Sequence, residues 1–326
     1  MSDTKIRTGR RPSVLTACAL FLLAALALAL LNFFAAPVYQ SIFSLFPDIG
    51  NEAAQLILNL LFYLPFMLLP VFLCFRRRPD AADALRLKPI TPKATLAVII
   101  TALSGIVPAT IITALWSLLL EALGCSAPYP QMAIPTDTSG LILYFFAAAV
   151  LPGICEELLF RGVLLSGWER RGRTRAVLVS AMFFALLHGS VQGFPAEFLL
   201  GIVIGHIVTA CDSIYAGMIY HTVHNAVILI MNFLSQRVAS VSESAEMQVV
   251  ELTIRELDAA VFQMIFYIAL FVLMLRLFRR RAIVHGLQPA LDTGIRCNAA
   301  ELTLLAAGLL PIFYLYWTDI SLMLGL

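Results

Sequence analysis

Two adjacent glutamates and an arginine interrupt an apolar stretch of this chain, in the segment CEELLFRG over residues 155–162. An ionisable side chain in the hydrocarbon core of a bilayer is costly, so such residues usually face a partner or a wet cavity and mark function. Glu157 and Arg161 are four residues apart, so on a helix the arginine can neutralise this acid. Glu156 is turned about 100° from Glu157 around the helix axis. We therefore predict a structural pair and a separate acid that is available for chemistry.

Four of the five histidines lie in or at the ends of apolar segments: His188, His206, His221 and His224. The fifth, His285, lies in a basic connection and is interpreted as a solvated loop residue. His221 and Asn225 are four residues apart and project from one helix face, and His224 lies beside them. His206 is interpreted as a packing residue. The pattern of the whole group, rather than any single histidine, indicates a site.

The heights of these residues in the membrane are predicted to match. Glu156 and His188 are each about sixteen residues from Gly172, which lies in the basic turn WERRGRTR. At 1.5 Å per residue, both Cα atoms stand roughly 20–24 Å from that turn if the two helices are antiparallel. The same count from Asp212, in the turn between the sixth and seventh segments, brings His221 and Asn225 to a similar level. We expect the four side chains to share one layer.

The composition requires helices in a membrane to position these residues. Hydrophobic residues make up 60% of the chain and charged residues only 13%, against about 25% charged residues in soluble domains. The sequence predicts an all-α, polytopic helical bundle with about nine transmembrane segments. The apolar segments cover residues 13–36, 53–75, 94–123, 140–165, 176–188, 197–210, 214–234, 259–278 and 302–326. The net charge of +2 gives no indication of a nucleic-acid partner.

Lysine and arginine are concentrated in the amino tail and in the second, fourth and eighth connections, whereas the first, third and fifth contain none. Cytoplasmic loops carry such an excess, so we predict a multi-pass protein of the cell membrane with a cytoplasmic amino terminus. The predicted divisions are a basic tail (1–12), three spans (13–139), a core (140–234), a polar outer loop (235–258) and the final spans (259–326). Cys125 would be the one outer cysteine, so no disulfide framework is expected.

Three motifs together resemble a known family. They are EExxxR, FxxxH and HxxxN, at Glu156, Glu157, Arg161, Phe184, His188, His221 and Asn225. In this combination and order the chain resembles the CPBP (CAAX-processing and bacteriocin-processing, or Abi) intramembrane proteases over roughly residues 140–234. The resemblance implies a family core of eight helices around a polar cavity. It also implies peptide hydrolysis of a membrane-associated protein or peptide within the lipid bilayer.

The resemblance implies a role for each matching residue. Glu156 and His188 would activate a water, since a carboxylate in apolar surroundings can accept its proton and pass it to the leaving amine. His221 and Asn225 would donate hydrogen bonds to the oxyanion, where low dielectric strengthens them.

The supporting residues are Glu157 and Arg161, which would shape the site, Phe184, which would form a wall, and His224. The residues also allow a metal version. His188, His221 and Glu156 would then supply two nitrogens and one carboxylate to a divalent metal such as zinc. The HExxH helix of many zinc proteases is absent, and the sequence leaves both mechanisms open.

Two other functions compete with proteolysis. The first is a proton- or ion-coupled transporter, which also uses intramembrane acids and histidines. Transporters often have broken helices in both halves of the chain. The polar cluster here occupies the fourth to seventh segments only, which disfavours transport. A non-proteolytic membrane scaffold of the same family would keep these residues and act by binding. Eukaryotic family members remove a tripeptide from prenylated proteins and bacterial members are more varied, so the resemblance does not assign the substrate.

Overall fold

The computed structural model describes residues 11–125, 135, 137–242, 254–284 and 297–324, with backbone alone at 238–242, 254–260 and 281–284. All regular secondary structure in these residues is helical, which confirms the predicted all-α architecture. The helices are α1 (Val14–Phe33), α2 (Ala35–Leu45), α3 (Asn51–Phe75), α4 (Ala81–Ala84), α5 (Pro92–Ala122), α6 (Thr138–Arg171), α7 (Arg173–Leu187), α8 (Phe194–Cys211), α9 (Ile214–Ser242), α10 (Ile254–Val284) and α11 (Ala299–Leu324).

Eight of the described helices are long and apolar enough to cross a membrane, one fewer than the predicted nine or so. The exception is α7, the predicted fifth segment, which has 15 residues. That length gives about 22 Å of helix, short of the roughly 30 Å hydrocarbon core. Outward-facing side chains of the last two helices are large and apolar, including Phe262, Leu310 and Phe313, as expected of a lipid-facing surface.

Prolines widen α3 and α6 near the polar residues. A π-helical segment covers Tyr63–Leu68 and contains Pro65, and another covers Phe145–Val150, just before Pro152. Proline has no N–H and clashes with the preceding turn, which disturbs the regular ladder. A third π-helical segment, Leu158–Leu165, follows the two glutamates. The acids therefore lie on a short α-helical stretch between two widened ones, a placement typical of functional sites.

Small residues allow the closest helix contacts. Gly201 of α8 faces α7 so closely that an added Cβ would lie 2.8 Å from the Cα and Cβ atoms of Ala181. Gly308 of α11 faces α1 in the same way, with the Phe21 ring 3.1 Å from the position of a Cβ. α1 packs along α11, and α5 contacts α8, α9 and α10. These contacts fix the outer helices to the core that carries the histidines.

A charged cluster ties together one end of the bundle. Arg86 is buried, and its guanidinium contacts Glu169 at 2.6 Å and Asp212 at 3.1 Å. Lys88 contacts Asp212 at 2.6 Å, and Arg11 reaches both acids at 3.5 Å. The tail, the second and fourth connections and the α8–α9 turn therefore lie on one side. The basic residues of the tail and of the two connections predict this for those three segments.

Asp212 occupies the α8–α9 turn in a left-handed conformation, with φ of +47°. Burial alone would raise the pKa of its carboxyl. The hydrogen bond from Lys88 and the charges of Arg86, Lys88 and Arg11 outweigh burial and lower the pKa below its ordinary value. The ionised acid therefore stabilises this end of the fold.

The predicted outer loop over 235–258 is shorter in the structure. α9 continues to Ser242 and α10 begins at Ile254, because the segment SQRVAS contains no proline or glycine to end the helix. Residues 243–253 lie outside the described residues, as do His285 and residues 1–10 of the predicted basic tail. The predicted division between spans (13–139) and core (140–234) lies within a few residues of the start of α6 at Thr138, and it stays a prediction.

Candidate active site

A cavity of about 410 Å³ lies between α1, α3, α6, α7 and α11. Its polar lining residues are Asn32, Tyr63, Glu156, His188, Ser190, Thr318 and Asp319. Glu156 and His188, which sequence counting placed at one height, thus face the same space. We call Asn32, Thr318, Asp319 and Leu322 the mouth; they are lining residues near the carboxyl ends of α1 and α11.

The carboxyl group of Glu156 is held on one side only. The side chain is 6% exposed, and its Oε1 accepts a hydrogen bond of 2.6 Å from the hydroxyl of Tyr63. Its Oε2 has no hydrogen-bond partner among the described residues. A buried carboxylate oxygen without a partner is costly, so this atom is suited to a water or a substrate group.

His188 ends α7, and its ring reaches back to its own helix. Nδ1 lies 2.8 Å from the carbonyl oxygen of Phe184, which can only accept, so Nδ1 carries a proton. In the neutral ring, Nε2 is then the acceptor. Nε2 lies 3.6 Å from Oε2 of Glu197 on α8. The imidazole can therefore take up a proton at Nε2, and Glu197 can stabilise the charged form.

The second glutamate forms a closed network with its neighbours. Glu157 Oε1 accepts hydrogen bonds from Arg161 Nη1 at 2.6 Å and from His221 Nδ1 at 3.0 Å. All three side chains are buried, and Arg161 also donates to the carbonyl of Gly201 at 3.2 Å. The predicted pairing of Glu157 with Arg161 is present, and it also holds α9 through His221.

Phe184 contacts the side chains on both sides of the site. Its ring centroid is 4.7 Å from that of His188 and 5.6 Å from that of His221. The guanidinium carbon of Arg161 lies 4.5 Å from the same centroid, a cation–π distance. The ring is fully buried and is not among the residues that line the cavity, so its role as a wall stays a prediction.

Asn225 and His224 are not among the residues that line this cavity. Asn225 Nδ2 donates to the carbonyl of Ala148 at 3.0 Å, an oxygen whose usual helical donor would be the N–H that Pro152 lacks. His224 is buried and stacked on Tyr220, and it lines a second cavity of about 420 Å³ that also contains Glu197. His206 lies on α8 with its side chain exposed.

These motifs fall within one segment that matches a known family. Residues 138–227 match the family model described as type II CAAX prenyl endopeptidase Rce1-like. This part of the chain is similar to the Rce1-like family. The match confirms the resemblance predicted from the three motifs, and the family indicates a protease with a membrane-associated protein substrate. Searches of curated proteins and of solved structures found no match to the chain.

The Rce1-like core, residues 138–227, does not assemble the metal ligands that the sequence allowed. His221 Nδ1 is bonded to Glu157 and His188 Nδ1 to the backbone, so Nε2 is the nitrogen of each ring that a metal would use. Among the described residues, no three His, Cys, Asp or Glu side chains are grouped so that they could hold a metal ion. Glu156, His188 and His221 as arranged here therefore do not fit a metal.

Two polar residues of the site were not singled out from the sequence. Tyr63 comes from α3, far outside the Rce1-like core, and carries no motif. Glu197 lies inside the core as the one acidic residue of α8. An acid in an apolar helix indicates function by itself, so Glu197 could have been found from the sequence, whereas Tyr63 could not.

Proposed function

We propose that this chain is an intramembrane endopeptidase in which Glu156 is the general base. The observation that supports the proposal is the buried carboxyl of Glu156, with its free Oε2, in the cavity that also contains His188. Tyr63 fixes Oε1 and so directs the other oxygen. A group held in this way needs little reorganisation when it meets a water.

In the proposed reaction, a water bound at Glu156 Oε2 attacks the carbonyl carbon of the scissile bond. Glu156 takes one proton of that water, and the negative charge develops on the carbonyl oxygen. When the C–N bond breaks, the proton passes to the leaving amine. His188 Nε2 orients the water as an acceptor, and Glu197 balances the charge if this nitrogen becomes protonated.

The two proposed oxyanion donors, His221 and Asn225, do not line the cavity that contains Glu156 and His188. The second hydrogen of the Asn225 amide remains for the oxyanion, because the bond to Ala148 uses only one. His221 can donate from Nε2 only as an imidazolium, since Nδ1–H already bonds Glu157. Because Asn225 does not line the cavity, its oxyanion contact requires the bound peptide to bring the carbonyl oxygen towards α9, and we assign a supporting role to the buried network of Glu157, Arg161 and His221.

The mouth of the cavity is proposed to open on the non-cytoplasmic side. α1 begins beside the charged cluster, and α11 begins where Glu301 pairs with Arg171 at 2.6 Å. Both helices run from that end to the mouth. Because the arginine-rich end is cytoplasmic by the positive-inside rule, the protein would be a cell-membrane protease that meets its substrate from outside.

The test compares membrane proteomes of cells that express the wild type or Glu156→Gln, with Glu52→Gln as a matched control. Glu52 is an acid of α3 that does not line the cavity. The proposal expects peptide termini that depend on the protein and disappear in Glu156→Gln alone. Identical termini in the wild type and Glu156→Gln would contradict it. Proton uptake without cleavage would identify a transporter, and an unchanged cellular phenotype in Glu156→Gln would identify a scaffold.

A further inference from the structure

An acidic residue from the last helix lies at the mouth of the catalytic cavity. Asp319 of α11 is half-buried, and its Oδ2 accepts a hydrogen bond of 2.7 Å from the backbone N–H of Val191. Val191 directly follows Ser190, which lines the same cavity. This bond holds the carboxylate in place next to the segment that follows His188. Asp319 lies outside the Rce1-like core, so the family match assigns it no role.

The charges around the cavity are one-sided. Its lining contains two carboxylate side chains, Asp319 and Glu156, and among the described lining residues there is no lysine or arginine. The imidazole of His188 also lines the cavity, and its Nε2 faces the carboxylate of Glu197 at 3.6 Å. Glu156 is more than nine-tenths buried and its Oε2 lacks a partner. A narrow space lined by one sign of charge in a low-dielectric surrounding concentrates ligands of the opposite sign. The cavity is thus suited to a cationic group.

We propose that Asp319 selects substrates with a positively charged side chain within a few residues of the scissile bond. The proposal rests on the proposed proteolysis and names its substrate class. The bond cleaved is then an internal one beside a basic residue. A basic side chain can pair with Asp319 at the mouth while the peptide bond lies deeper, near Glu156.

The same charges disfavour a free carboxyl terminus close to the cut. Three extended residues span at most about 10–11 Å, so the terminal carboxylate of a released tripeptide would lie in or beside this cavity. There it would meet Asp319 and Glu156 with no described lysine or arginine in the lining to bind it. Like charges placed together in this way suppress the wrong partner.

The experiment uses the full chain in phosphatidylcholine nanodiscs and a library of peptides whose cleavage is identified by mass spectrometry. Matched peptides then carry Lys, Gln or Glu near the cut bond, and a further pair ends there in a carboxylate or an amide. Binding is measured by fluorescence anisotropy and cleavage by kcat/KM. The variants are Asp319→Asn, which keeps an acceptor for Val191, Asp319→Glu, which keeps the charge, and Asp48→Asn, an exposed acid outside the cavity.

The wild type is expected to favour the Lys peptide over the Gln peptide by about tenfold, the equivalent of one close charge pair of about 1.4 kcal/mol. Asp319→Asn should reduce that ratio below about threefold, while Asp319→Glu and Asp48→Asn keep it. Cleavage without charge preference, or a preference that survives Asp319→Asn, would overturn the inference and leave the proteolysis standing. Selective binding without cleavage would keep the inference and overturn the proteolysis. Absence of both binding and cleavage would overturn both.

Discussion

Replacing Tyr63 by phenylalanine removes one hydroxyl from the cavity and leaves the ring in place. That hydroxyl donates a hydrogen bond of 2.6 Å to Glu156 Oε1. A hydrogen bond to a charged group contributes about 1.5–3 kcal/mol. If this contribution serves to hold the carboxylate in its reactive orientation, its loss lowers kcat by about 10- to 150-fold, since each 1.36 kcal/mol is a factor of ten. KM should stay close to that of the wild type, because the proposed role of the hydroxyl is to bind Glu156 rather than the substrate.

The assay measures kcat and KM in nanodiscs with a peptide cleaved by the wild type, together with the midpoint of thermal unfolding. Tyr39→Phe is the matched control, because its hydroxyl bonds only the carbonyl of Asn51, at 3.3 Å, and does not line the cavity. A value of kcat within twofold of the wild type in Tyr63→Phe would refute the reasoning. A fall of equal size in Tyr39→Phe would show that general loosening of the fold, rather than the orientation of Glu156, is responsible.

Three further predictions concern stability, measured by thermal unfolding of the purified protein. Gly201→Ala should separate α7 from α8 and lower the midpoint, because its Cβ would lie 2.8 Å from backbone and side-chain atoms of Ala181; an unchanged midpoint would contradict this packing. Arg161→Ala leaves Glu157 as an uncompensated buried charge, since both side chains are 0% exposed, and should cost about 3–5 kcal/mol; a loss below about 1 kcal/mol would show that the pair is not buried in this way. The lowered pKa of Asp212 contributes stability that is fully present above the ordinary carboxyl pKa near 4. This stability is lost as the pH falls through the lowered pKa. Acid destabilisation should therefore be smaller in Asp212→Asn than in the wild type, and equal acid sensitivity of the two proteins would contradict the ion pairs of Asp212.

The sequence predicts the parts of the site that depend on local spacing. The pairing of Glu157 with Arg161 follows from a separation of four residues on one helix. The shared cavity of Glu156 and His188 follows from equal counts on either side of the basic turn. Both predictions depend only on the number of residues per helical turn and the rise per residue, so they can be made from the sequence alone.

The remaining features depend on how distant helices pack. The partner of Glu156 is Tyr63, from a helix more than ninety residues earlier in the chain, and no spacing rule connects them. His221 contacts Glu157 rather than Glu156. The π-helical segments before and after the two glutamates change the direction in which each glutamate side chain points. A residue count that assumes a regular α-helix does not include this change. Asn225 donates to the carbonyl of Ala148, which is free because Pro152 has no N–H. This bond could be predicted from the sequence only if the contact between α6 and α9 were already known.

Most of the side chains around the catalytic cavity come from α1, α3 and α11, which lie outside the Rce1-like core. The proposed hydrolytic groups, Glu156 and His188, and most of the surrounding wall are thus encoded in separate stretches of the sequence. Mutations in the flanking helices could alter which peptides are accepted while leaving the reactive carboxylate and imidazole untouched. A chimera that joins the core of one such protein to the flanking helices of another should therefore inherit its chemistry from the first parent and its selectivity from the second.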